Sequence, residues 1–176
     1  MANDPYERMN KVPALTVTSV DVTDKGHLAD AQRSGIMSAG GSDTSPQLAW
    51  SGAPEGTLSY AVTCYDPDAP TGSGFWHWVV SDIPASVTEL ATGAGDEEGS
   101  GLPDGAFQLA NDAGGKRYVG AAPPSGHGSH RYFFTVYALD VEKLGVDSDA
   151  SAAFHGFNIF GHTLARGHIM ATSETL

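Results

Sequence analysis

Two aspartates, two histidines and a tyrosine carry the chemistry that this sequence can do. Asp66 and Asp68 stand two residues apart in the run DPDAP, His77 lies between two tryptophans in FWHWVV, and His130 and Tyr132 open the run HRYFFTVYALD. A carboxylate beside an imidazole can accept a ring N–H and fix its tautomer, or raise the ring's pKa so that it carries charge. Imidazole N–H and phenol O–H groups can donate to an anion such as phosphate, which ionised carboxylates repel. The two acids could also meet an ammonium group, with Trp78 or Tyr132 offering a ring face. A third chemistry uses the four Asp and His side chains as ligands of a divalent metal for hydrolysis. Against it, neither HExxH-type ligand spacing nor a GxSxG nucleophile occurs. Taken singly, each feature has a plainer explanation: DPDAP as a rigid turn, His77 as a core histidine bonded to a carbonyl, His130 as the start of a strand.

These residues need strands to place them. Residues 59–65 (SYAVTCY), 75–83 (FWHWVVSDI) and 130–139 (HRYFFTVYAL) are rich in β-branched and aromatic residues and read as strands; residues 15–22 read as a half-buried one. Strict alternation puts Asp66 in phase with Tyr60, Val62 and Cys64, and His130 and Tyr132 in phase with Phe134 and Val136. It puts His77 with Phe75 and Val79, leaving Trp76, Trp78 and Val80 on the other face, and Arg131 with Phe133 and Tyr137. The polar groups thus fall at the ends of apolar faces, where a pocket can form at the rim of a β core. Residues 91–117 read as a long surface loop and YVGAAPPSGHGSH as a second, Gly/Pro-rich one. Phe154, Phe157, Phe160 and Leu164 recur at helical spacing, which predicts a helix over residues 149–165, with His155, His162 and His168 along its surface. The tail HIMATSETL predicts a last strand, and residues 1–12 a loose arm ahead of a single domain over residues 13–176.

Composition narrows the function classes. A net charge of −12 disfavours nucleic acid and anionic membrane surfaces as partners. No apolar run approaches the length of a membrane span, and the single cysteine, Cys64, leaves no internal disulfide and no Cys-based zinc site. With no apolar run in MANDPYERMNKVPALT, a cytoplasmic protein without a resident cofactor is expected.

DPDAP, then a short loop and WHW, then GAAPPSGHGSHRYFF, with TSPQLAWSGAP upstream, resemble the signature segments of the phosphatidylethanolamine-binding protein family, over about residues 13–172. The bacterial branch of Raf-kinase-inhibitor-like proteins is the most similar. The resemblance implies a mainly β fold, a large antiparallel sheet packed on a smaller one with one or two peripheral helices. It implies a small non-catalytic pocket for phosphate-type anions or phospholipid head groups, lined by Asp66, Asp68, His77, His130 and Tyr132, with Gly120, Ala122, Pro123 and Pro124 as a wall. It also implies a cis peptide at Ala69–Pro70, pairing of two copies, and a role in inhibiting a kinase or protease, in which case the pocket could be vestigial. Three departures stand out. Ala122 replaces a glycine before the two prolines, His127 is additional to the histidine of HRY, and Ala171-Thr172-Ser173 replaces a Gly-Thr-Tyr ending.

Overall fold

The computed structural model describes residues 4–176. Eight strands and one α-helix follow in the order β1 (Thr16–Thr18), β2 (Leu48–Ser51), β3 (Ser59–Asp66), β4 (Phe75–Pro84), β5 (Glu89–Leu90), β6 (Phe107–Gln108), β7 (His130–Leu139), α1 (Ala152–Phe160) and β8 (Thr163–Ser173), with one 3-10 turn at Asp30–Gln32. They form two antiparallel sheets, of five strands in the order β6-β4-β3-β7-β8 and of three in the order β1-β2-β5.

The two sheets share one apolar cluster. Leu48, Trp50 and Leu90 of the small sheet meet Tyr60, Val62, Trp78, Val80, Phe134, Val136 and Ile169 of the large one. The large sheet's outer face carries a second cluster, with Val79, Leu109, Phe133, Tyr137 and Leu139 packed against Ala152 and Ile159 of α1. Tyr6 joins this outer cluster, hydrogen-bonded to Thr135 and stacked on His168, so the expected loose arm is anchored within the described residues.

Alternation holds in β3 and β7 and fails in β4. Cys64 pairs with Trp78 but Tyr65 pairs with Trp76, so His77 is the extra residue of a β-bulge. The bulge changes the phase: Trp78 and Val80 face the small sheet, whereas Trp76 and Val79 face α1. The expectation of Trp76, Trp78 and Val80 on one face is therefore corrected.

The helix is shorter than predicted and turned differently. Ser151 caps it by accepting from Phe154 N at 3.1 Å, and the chain has entered β8 by Thr163. Its buried face is Ala152, His155 and Ile159; Phe154, Phe157 and Phe160, whose spacing announced it, are 53%, 75% and 52% exposed. His155 is buried and His168 lies on β8, so the histidines do not share a helix surface. The long 91–117 loop is tied down: Trp78 Nε1 donates to Gln108 Oε1 at 2.7 Å, and Gln108 Nε2 to the Asp96 carbonyl at 2.8 Å.

Candidate functional site

The register of β3 on β7 pairs Tyr65 with Phe133, so Asp66, the last residue of β3, comes level with Tyr132, and His130 lies two residues beyond. Asp66 is 2% exposed. Its Oδ1 accepts from the backbone N–H groups of Asp68 (2.7 Å) and Ala69 (3.1 Å), an Asx-type turn that begins DPDAP. Its Oδ2 lies 2.7 Å from His130 Nδ1. The carboxylate can only accept, so His130 carries its proton on Nδ1. The other nitrogen, Nε2, lies 2.7 Å from Nδ1 of His127, giving a buried-to-surface chain Asp66–His130–His127.

Asp68 points elsewhere. Its two oxygens take Arg131 Nε at 2.8 Å and Nη2 at 2.7 Å, and Oδ2 also accepts Arg131 N at 2.9 Å. The guanidinium holds this carboxyl below the usual aspartate range against the opposing effect of burial. Asp68 thus pins the DPDAP turn to β7 through a charge-assisted fork.

The bulge at His77 directs its imidazole away from α1, and its Nδ1 lies 2.8 Å from the Val119 carbonyl. A carbonyl cannot donate, so Nδ1 carries the proton and Nε2 is the nitrogen that can meet a ligand. Burial pushes the His77 pKa down, although the Val119 carbonyl and the Asp66 carboxylate pull the other way, so the ring is neutral near pH 7. It stands edge-on to Tyr132, ring centroids 5.1 Å apart. Burial first, then Asp66, push the Tyr132 phenol well above its ordinary range, which keeps it an O–H donor.

The Gly/Pro loop forms the far wall. Val119 N donates to the His77 carbonyl at 3.0 Å, and Ser34 N to the Ala121 carbonyl at 2.9 Å. Gly120 passes against the Arg33 backbone so closely that a Cβ there would overlap the Arg33 carbonyl and stand 2.5 Å from Ser34 N. Its own N–H donates to Asp43 Oδ1 at 2.7 Å, so it is not available to an anion in the cavity.

A cavity of about 190 Å³ results. Seven of the nine expected residues line it: Asp66, His77, Gly120, Ala122, Pro124, His130 and Tyr132. Asp68 and Pro123 do not; Asp68 is held outside by Arg131, and Pro123 is buried behind the wall. The rim is apolar, with Ile36, Met37, Ala69, Pro70 and Phe75. Phase with His77 marks Phe75 in the sequence, but nothing there marks Ile36 or Met37. His127, which bonds His130 from outside the cavity, is flanked by two glycines, both at positive φ. No cis peptide occurs among the described residues, so the bond Ala69–Pro70 is trans. None of the described His, Cys, Asp and Glu side chains form a group of three or more that could hold a metal ion. The alternative metal site is met instead by hydrogen bonds to Val119, Arg131 and His127.

The family model for phosphatidylethanolamine-binding protein matches residues 18–174. The UPF0098 protein YbhB of Escherichia coli (strain K12) is 48% identical over 160 residues, 89% of this chain and 98% of that protein. The UPF0098 protein YbcL of the same organism is 46% identical over 161 residues, 92% of this chain and 88% of that protein. The crystal structure of E. coli YbcL, described as a member of the mammalian PEBP family, superposes with a TM-score of 0.89, covering 92% of this chain and 99% of that one.

Proposed function

The chain belongs to the phosphatidylethanolamine-binding protein family, and on that premise we propose that its cavity binds, without turnover, a small phosphate-type group carrying an apolar or short alkyl substituent. The observation that carries this reading is the convergence of His77, His130, Tyr132 and Asp66 at the floor of one cavity under an apolar rim. The floor is not a simple anion trap. Tyr132 donates, but the neutral His77 ring presents an accepting nitrogen and Asp66 is a carboxylate. A hydrogenphosphate fits both demands: its P–O oxygens take the phenol O–H, and its P–OH donates to His77 Nε2. A phospholipid head group, a phosphodiester without a P–OH, offers the same accepting oxygens to Tyr132, and there the ammonium of ethanolamine is the group that donates to His77 Nε2. A protein partner such as a kinase or protease would be affected through the rim, where Ile36 and Met37 stand 56% and 57% exposed.

Calorimetric titration with inorganic phosphate and with phosphoethanolamine tests the reading. Because the phosphate monoester loses its second proton at a pKa of about 6, affinity rises as pH is lowered from alkaline toward that value. Tyr132→Phe and His77→Gln each weaken binding by about tenfold, the loss expected for one hydrogen bond to a charged group. An affinity that stays flat with pH, or survives both substitutions, overturns the proposal.

A further inference from the structure

The outer face of the large sheet, opposite the His77 cavity, carries another cavity beneath α1. Its volume is about 340 Å³, within the range of small-molecule sites, and Trp76, Tyr137, Phe157 and Ile159 give it largely apolar walls. Polar side chains on these walls are short of partners, the buried Thr63 Oγ1 among them. His155 is 1% exposed on the inner face of α1, and neither of its ring nitrogens has a hydrogen bond. Buried polar groups without partners are few in native proteins and ask for an explanation. The half-buried Arg166 guanidinium donates to the Met9 sulfur at 3.6 Å and the Asn10 carbonyl at 3.4 Å, and lies over the Tyr6 ring. Among the described residues no carboxylate forms an ion pair with it.

An apolar cavity flanked by a cation without a carboxylate partner and by an unmatched buried imidazole is complementary to one class of molecule. We infer that the α1 cavity binds a small aromatic carboxylic acid, its ring against Trp76 and Ile159, its carboxylate on Arg166 and a ring N–H or O–H donated to His155. The His155 nitrogens are closed off from solvent, so the ligand reaches them by displacing α1. That helix is nine residues long, holds on through Ala152, His155 and Ile159, and leaves its three phenylalanines exposed. The site is separate from the His77 cavity and does not depend on what that cavity binds.

Indole-3-acetate supplies the carboxylate and the ring N–H together, and indole the N–H alone. Calorimetric titration of the whole protein with each, with the imidazole of His155 followed by nitrogen NMR, tests the site. Saturable binding of indole-3-acetate that shifts the His155 signals is expected. It should weaken about tenfold in Arg166→Gln, the loss of one charge-assisted pair. Indole binding should change little in that variant, and neither ligand should be affected by His77→Gln. Thermal unfolding of each variant identifies any loss of fold, and His155→Phe, which keeps a ring of similar size, should abolish the preference for ligands with a ring N–H. The inference is overturned by absence of saturable binding at millimolar concentration, by indole-3-acetate affinity indifferent to Arg166→Gln, or by binding lost in His77→Gln.

Discussion

Asp66→Asn separates the two jobs that the structure gives to this carboxylate. Asp66 receives three hydrogen bonds, from Asp68 N, Ala69 N and His130 Nδ1. Bonds to a charged acceptor contribute about 1.5–3 kcal/mol and neutral ones about 0.5–1.5 kcal/mol. Asparagine keeps Oδ1, so the two backbone bonds survive in neutral form and lose about 1 kcal/mol each. The amide N–H₂ then faces His130 Nδ1, donor against donor, until the ring moves its proton to Nε2. Removing a buried charge offsets part of this, which leaves a net destabilisation of about 2 kcal/mol. At alkaline pH, where free imidazoles are neutral, the same proton shift reverses the His127–His130 bond, because His130 Nε2 then donates to His127 Nδ1 instead of accepting from it. Urea unfolding at alkaline pH, where the imidazoles are neutral, gives the stability, and nitrogen NMR gives the tautomer. A variant with the wild-type unfolding midpoint and His130 still protonated on Nδ1 would refute the view that Asp66 fixes this ring.

Two further outcomes concern the scaffold. Gly120→Ala forces a methyl into the Arg33 and Ser34 backbone and should cost about 2 kcal/mol, in the range of core overpacking, with phosphate binding weakened as the wall shifts; a neutral effect on urea unfolding would contradict the close approach. Burial pushes the His155 pKa down from 6.5 to about 4, so between those values the unfolded chain binds a proton that the native state does not. Stability therefore falls as pH falls through that window, and the wild type should lose about 3 kcal/mol more than His155→Phe between neutral pH and pH 4; a constant difference between the two in urea unfolding would rule out a neutral buried ring.

What can be read from the sequence follows from where periodicity governs. β7 is legible throughout: Phe134 and Val136 face the small sheet, and Phe133 and Tyr137 face α1, as alternation requires. The end positions of Asp66 and His130 follow from the same regularity, while their meeting comes from the register of β3 on β7. Periodicity misleads at α1, because the helix buries Ala152, His155 and Ile159 and exposes its phenylalanines. A hydrophobic pattern names the wrong face when the buried positions are small or polar. It fails again at His77, where one extra residue in β4 moves the side chains that follow to the opposite face until a second irregularity between Val80 and Ile83, and a bulge has no compositional mark in FWHWVV.

The remaining parts of the site depend on contacts between distant residues that no local pattern encodes. Gly120 is held by Asp43, 77 positions earlier in the chain, and the cavity rim is completed by Ile36 and Met37 from a Gly- and Ser-rich loop. The division of the Asp pair is of this kind. Two carboxylates two residues apart look like a shared acid site, yet the turn that begins at Asp66 sends the second one out to Arg131. Asp66 alone then faces the cavity, with its lone pairs largely taken by two backbone N–H groups and His130. That arrangement lets a carboxylate line the floor of a phosphate-type site: its charge is already shared among three donors, and it fixes the tautomer of the imidazole that the ligand must meet.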